Sequence, residues 1–304
     1  MSIIDNINFA NAELDIESIA ISGGSNLTSS NGAFGSLTPV LTDTNTDGAI
    51  DQMFVDFGTI TNNAAAGVDP AADQIEILVV ARVTNVTENQ DGDQVRNDAT
   101  LIYDDEAGTQ TISDFEDVEI VEPELNIAKT ITSATTNIDS GDPISWQIVI
   151  DHDAVSQADA MDMTFSDFLP ADVDVDFATG VSVTESVAGD IKASFELVGG
   201  ELRTVAGGYD LALGRTITIT INGTLNQTVE PNQVIQNTAD IQWTSVDGTE
   251  PTERGGDGTG PNDYNDTSTA PVATVIEELG IDKRLPTGAS TTLSLIHISE
   301  PTRL

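Results

Sequence analysis

The stretch Leu125-Asn126-Ile127-Ala128-Lys129-Thr130-Ile131 decides the fold. Apolar Leu125, Ile127 and Ile131 alternate with Asn126, Ala128 and Thr130, the period-two pattern of a strand with one buried face. Lys129 falls on the apolar face and interrupts it. The same Leu-x-Ile-x-Lys pattern returns at Leu279-Gly280-Ile281-Asp282-Lys283. A segment that recurs one domain length further on is the signature of a tandem array. The stretch therefore ends one module and opens the next.

This reading divides the chain into residues 1–120, a module without its own Leu-x-Ile-x-Lys strand, and residues 121–276, a complete one. Residues 277–292 begin a third. Residues 293–304 resemble a translated sequencing adapter and are set aside from the fold, as a fusion scar would be.

Working outward, Gln74–Val83 and Val95–Tyr103 read as strands of the first module. Strands are expected at 125–132, 144–151, 161–167, 191–198, 215–222, 233–243 and 270–276 of the second. Thr216-Ile217-Thr218-Ile219-Thr220-Ile221 alternates strictly and should lie half buried on a sheet. Many short strands broken by Gly, Asp and Asn turns point to an all-β chain of tandem immunoglobulin-like β-sandwich repeats, the first and last truncated. Trp146 and Trp243 read as core residues of their strands.

The 304 residues carry 10 Lys and Arg against 51 Asp and Glu, a net charge of −41. Nucleic acid is excluded as a partner, because phosphate binding needs clustered cations. No run is long enough for membrane insertion. There is no cysteine, so neither disulfides nor thiolate chemistry contributes. His152, between Asp151 and Asp153, is the one histidine before residue 293 and reads as part of an exposed turn, so an external catalytic function is not expected.

Asp43-Thr44-Asn45-Thr46-Asp47-Gly48-Ala49-Ile50-Asp51 has the oxygen spacing of a calcium loop. Asp43, Asn45, Asp47 and Asp51 supply side-chain ligands, Ala49 a carbonyl, and Gly48 the sharp turn. The bidentate glutamate of a helical calcium loop is absent, since Phe54 stands there. Ca2+ is the expected cofactor, held weakly; a solvated acidic hairpin turn is the alternative.

The second module resembles the bacterial surface repeats called domain of unknown function 11 and the isopeptide-forming domains of fimbrial and adhesin stalks. The resemblance rests on Glu122-Pro123-Glu124-Leu125-x-Ile127-x-Lys129, Ser140-Gly141-Asp142-Pro143-Ile144-Ser145-Trp146, Phe165-Ser166-Asp167-Phe168-Leu169-Pro170 and Asn237-Thr238-Ala239. Trp146 stands where those repeats usually have tyrosine, and Ser166 where they have threonine. The first module matches only through Asp73-Gln74-Ile75 and Asn97-Asp98-Ala99.

The resemblance implies a self-formed amide between Lys129 and Asn237, with Asp167 as the proton-shuttling acid and Asp240 and Asp142 as weaker candidates. Burial would lower the amine pKa and raise that of the acid, each toward its neutral form. The plainer alternative is a lysine that snorkels to an edge and an asparagine that caps a turn. The expected role is a stalk or spacer segment of a large secreted protein on the bacterial cell surface. Its partners are neighbouring repeats of the same chain. A glycan- or protein-binding adhesive module, contacting its ligand through residues 61–72 or 251–266, is the rival; a polysaccharide-processing accessory domain is more distant.

Overall fold

The computed structural model describes residues 1–7, 14–46, 48–64, 70–87, 89–249, 253–255, 264–275, 281–284 and 295–298. The chain divides into two compact units, Met1–Glu122 and Pro123–Leu304. Each is all-β, an antiparallel immunoglobulin-like sandwich, as the turn-punctuated alternation requires.

In the second unit one sheet runs Leu125–Ile131, Pro143–His152, Thr216–Leu225, Val181–Glu185 and Gly189–Asp190 in spatial order. The facing sheet runs Phe195–Val198, Glu201–Thr204, Ala160–Phe168, Thr238–Thr244 and Asn265–Thr269. The Thr-Ile alternation works as its pattern demands: Ile217, Ile219 and Ile221 are fully buried, and the threonines turn outward. Trp146 and Trp243 are core residues, and Trp243 stacks on buried Tyr264 with ring centroids 5.9 Å apart.

The lysine strand Leu125–Ile131 lies at the edge of its sheet, hydrogen-bonded on one side to Pro143–His152. Its other edge meets side chains of Asn265–Thr269, the edge strand of the facing sheet. The Ile127 N–H donates to Asp266 Oδ2 at 2.8 Å, and the Lys129 N–H to Ser268 Oγ at 2.9 Å. These bonds satisfy donors that a bare sheet edge would leave open.

Ala160–Phe168 carries an irregularity that sets the site. Its register shifts between Met161 and Thr164, and Asp162 there adopts φ 47°. One extra residue inverts the inward face: Ala160 is inside before the bulge, and Met163, Phe165 and Asp167 are inside after it. Gly208, at φ +70°, packs against this bulge, where an added Cβ would lie 2.5 Å from the Asp162 carbonyl carbon.

Several boundaries differ from the sequence reading. Residues 191–198 form a 3-10 turn, Lys192–Ser194, and then a short strand, Phe195–Val198. The expected strand 233–243 is two strands, because Val234–Ile235 pairs with Ala273–Thr274 while Thr238–Thr244 pairs with Asn265–Thr269. Asn237 sits at the break. Of the expected strand 270–276, Ala273–Thr274 is strand, and residue 276 lies outside the described residues. Most of 277–292 lies outside the described residues, but Ile281–Arg284 pairs with Leu295–Ile298, inside the stretch set aside as adapter-like.

In the first unit the larger sheet runs Val40–Thr42, Gln52–Asp56, Ser2–Asn6, Gln94–Asp105 and Gly108–Glu119. Leu14–Gly23 and Ile75–Val83 form a separate ladder. Met53, Val55, Phe57 and Val95 are the centre of its core.

Gly208→Ala should lower the stability of the second unit by about 1–3 kcal/mol, since it adds strain at a positive φ and a clash at the bulge. Urea denaturation of the two proteins measures this.

Candidate functional site

Three polar side chains meet inside the second unit. Lys129 is the third inward position of its strand, after Leu125 and Ile127. Asp167 is brought inward by the bulge, and Asn237 enters at the break before Thr238–Thr244. Lys129 is 4% exposed, Asp167 0% and Asn237 1%.

Lys129 Nζ donates to Asp167 Oδ2 at 2.5 Å, and Asn237 Nδ2 lies 3.5 Å from the same oxygen. The amine and the carboxamide are therefore both within reach of one carboxylate oxygen. Beside them stand the Trp146 ring, its centroid 6.0 Å from Nζ, and the wholly buried Ile148, the cross-strand partner of Lys129. Asp167 Oδ1 and Asn237 Oδ1 have no hydrogen-bond partner. Two unpaired buried acceptors in one cluster are costly when the acid is ionised. A proton on Asp167 turns one of those acceptors into a donor.

The electrostatics point the same way. Burial pushes the Lys129 amine below its ordinary range, opposed by the charge and hydrogen bond of Asp167 and by the charge of Asp240. Burial pushes the Asp167 carboxyl up; Lys129 and the Asn237 amide pull it down, and Asp240 adds to the rise. Desolvation is the largest influence on both. The pair is driven toward neutral amine and neutral acid.

The lysine does not snorkel to an edge, and Asn237 does not simply cap a surface turn: both side chains are interior. The weaker acid candidates serve elsewhere. Asp240 accepts from Thr267 Oγ1 at 2.6 Å on the outer face, and Asp142 Oδ2 accepts from the Asp139 N–H at 2.9 Å in a turn.

The acidic loop of the first unit organises itself. Asp43 accepts the Thr46 N–H at 2.6 Å and the Gly48 N–H at 3.0 Å. Asp51, only 3% exposed, accepts the Thr44 N–H at 2.8 Å and Thr44 Oγ1 at 2.7 Å. Asn45 is exposed, Ala49 is buried, and Asp47 lies outside the described residues.

Two features were not legible in the sequence. Asp162 at the strand bulge, Asp210 in the short strand Tyr209–Leu211 and Asp247 in the turn after Thr244 bring carboxylate oxygens within 4.8 Å of one another. The Asp162 N–H donates to Asp210 and the Gly248 N–H to Asp162, so the cluster ties the bulge to the neighbouring strand and turn. His152 is not in an exposed turn: it is partly buried at a strand end, with Nδ1 3.0 Å from Ser156 Oγ and Nε2 3.1 Å from the Leu211 carbonyl.

No protein-family model matches the chain, and no curated protein matches it. Among solved structures it is similar to one titled BspA_C_mut, at 15% identity and TM-score 0.37, covering 90% of this chain and 83% of that one. It is similar to BcpA, the major pilin subunit of Bacillus cereus, at 13% identity and TM-score 0.35, covering 95% and 82%. A collagen-binding domain from a Staphylococcus aureus adhesin matches at 10% identity and TM-score 0.28, covering 50% of this chain and 99% of that domain. No described helix is long and apolar enough to cross a membrane.

With its folded pKa held above 3.8, Asp167 binds a proton more tightly in the folded chain than in the unfolded one. The stability this contributes is complete below the unfolded value and is lost as pH rises through the folded one. Lys129→Met removes the amine that holds the folded value down. Relative to Lys129→Met/Asp167→Asn, this variant should lose stability between about pH 4 and pH 7, which urea titrations at both pH values measure.

Proposed function

We propose that the chain is a load-bearing stalk or spacer segment of a bacterial surface protein, and that its second unit locks itself with an amide between Lys129 and Asn237. The supporting observation is the buried cluster in which one Asp167 oxygen is in reach of both the amine and the carboxamide. A structural ion pair would be a weak reason to bury these groups, since such pairs seldom add net stability.

The chemistry follows from the tuned groups. Neutral Lys129 attacks Cγ of Asn237, forming the Nζ–Cγ bond. Protonated Asp167 donates toward the carboxamide oxygen as the tetrahedral centre forms, then carries an amine proton to Nδ2. The Cγ–Nδ2 bond breaks and ammonia leaves. Amine and carboxamide become a secondary amide plus ammonia, with no net change in protons or oxidation state. The reaction parallels other amine nucleophiles activated by desolvation, assisted by an acid kept neutral in an apolar site.

Its consequence is mechanical. Lys129 is on the first strand of the unit and Asn237 precedes one of its last, so the amide closes a loop of about 100 residues. By analogy with disulfides, that closure is worth roughly 4–5 kcal/mol against the unfolded state. Force entering near Leu125 and leaving past Thr244 would run through the covalent tie rather than through the sheets. The extreme acidity and absence of cysteine suit an extracellular location. Neighbouring repeats are the partners of this reading; an adhesive role through a glycan or protein ligand is the alternative.

Calcium in the loop of Asp43, Asn45, Asp47, Ala49 and Asp51 is the second component. The carboxylates of Asp43 and Asp51 are both turned into the loop, where they accept its hydrogen bonds, and hard carboxylate oxygens gathered in this way suit calcium. Binding should be weak, because those oxygens already serve the turn.

Intact-mass measurement should find the chain lighter than its sequence by one ammonia, about 17 Da, with the deficit absent in Lys129→Ala and in Asp167→Ala. A full-mass parent chain would refute the amide. Millimolar calcium should raise the melting temperature of the parent chain, with the gain lost in Asp43→Asn. An unchanged melting temperature would remove calcium from the account.

A further inference from the structure

One strand, Asn265–Thr269, holds the backbones of both reactants of the proposed amide. Its residues alternate: Asn265, Thr267 and Thr269 are exposed, Asp266 and Ser268 are half-buried, and Ala270 beyond them is buried. Along one edge it is laddered to Thr238–Thr244, with Ser268 opposite Ala239 and Thr269 opposite Thr238. One step further, the Ala270 N–H donates to the Asn237 carbonyl at 2.9 Å, so the hold extends over the break at which Asn237 enters. On the outer face Thr267 Oγ1 donates to Asp240 at 2.6 Å, and the Thr238 and Thr269 hydroxyls meet at 2.9 Å. The Asn237 backbone is thereby fixed to this strand.

The inward side chains of the same strand grip the lysine strand. Asp266 Oδ2 accepts the Ile127 N–H at 2.8 Å, and Ser268 Oγ accepts the Lys129 N–H at 2.9 Å. Both side chains are short, with staggered torsions that leave the gripped backbone little room to slide. A third tie runs the same way: Trp243, in Thr238–Thr244, donates its indole N–H to the Pro123 carbonyl at 3.1 Å. Ser268 and Ala270 are two residues apart. About 6.6 Å of a single strand therefore separates the hold on the Lys129 backbone from the hold on the Asn237 backbone. The amine sits at the end of a long, flexible side chain, so its distance to the carboxamide depends on where its own backbone is kept.

We propose that Asn265–Ala270 is a positioning strand for the amide, with Ser268 and Asp266 as positioning residues that set the spacing of amine and carboxamide. The proposal rests on the Lys129–Asn237 amide and adds the residues that govern its rate. Neither Ser268 nor Asp266 touches a reacting atom; each acts through the backbone of the lysine strand. The consequence is an order of events. The gripped and gripping residues lie 139 positions apart in the chain, so the lock closes on a unit folded through to Ala270. A unit whose closing strand has not docked stays open.

The test follows amide formation in the full chain made by cell-free synthesis, with translation stopped and intact mass sampled over time. The loss of one ammonia, about 17 Da, gives the rate. Ser268→Ala should slow that loss by up to about 100-fold, the cost of misplacing a reactant by about 1 Å. Ser268→Thr keeps the hydroxyl and should react close to the parent rate. Asp266→Ala should be slow, and Asp266→Asn, which keeps an acceptor oxygen, should recover. Gly180→Ala is the control for stability, because its added Cβ would lie 2.5 Å from the Asn222 carbonyl oxygen, in segments that carry none of the three reacting groups. It should react at the parent rate. Circular dichroism shows that each variant is folded while it reacts, and where Ser268→Ala does not fold, the Asp266→Ala and Asp266→Asn pair makes the same comparison. Parent rates in the folded alanine variants would overturn the positioning role and leave the amide standing. A rate in Gly180→Ala as low as theirs would assign the effect to stability and overturn it too. A parent chain that never loses ammonia would remove the amide, and this proposal with it.

Discussion

An ammonium and a carboxylate withdrawn from water each lose several kcal/mol of solvation that one contact does not restore. In the second unit the Lys129 and Asp167 side chains are withdrawn from water in this way, and both are pushed toward neutrality. Much of the surrounding architecture serves to keep water out and the geometry fixed. The bulge at Asp162 aims Asp167 inward, and Trp146 and Ile148 stand beside the amine. Asp266 and Ser268 hold the lysine strand against the opposite sheet. The same desolvation that makes the cluster expensive as a salt bridge favours the neutral amine and neutral acid that the proposed amide requires.

Placement decides what such chemistry is for. The proposed amide would lie deep in a sandwich, between its first strand and one of its last, where its groups are buried from any external substrate. It acts on the chain that contains it. Sandwich units in series transmit load through their termini, and hydrogen-bonded strand pairs yield to sustained force more readily than an amide does.

Much of this was legible in the sequence, for particular reasons. Lys129 announced itself by breaking the alternation of Leu125, Ile127 and Ile131, and the Thr-Ile run 216–221 could only be a half-buried strand. The inward direction of Asp167 was not readable from alternation: counted from Ala160 it falls on the wrong face, and only the extra residue at the bulge inverts the pattern. Short strands such as Val181–Glu185 and Glu201–Thr204 were missed because each holds too few residues to establish a period. Ser268 was invisible for another reason. Its meaning comes from its place opposite Ala239 and against the lysine strand, a long-range arrangement that no local pattern encodes.

The most direct measurement is peptide mapping of the purified chain by tandem mass spectrometry after proteolysis. The account predicts a branched peptide in which the Lys129 side chain is joined to the Asn237 side chain, replacing the two linear peptides. Recovery of Lys129 as a free amine and Asn237 as an intact carboxamide, in separate linear peptides, would contradict it.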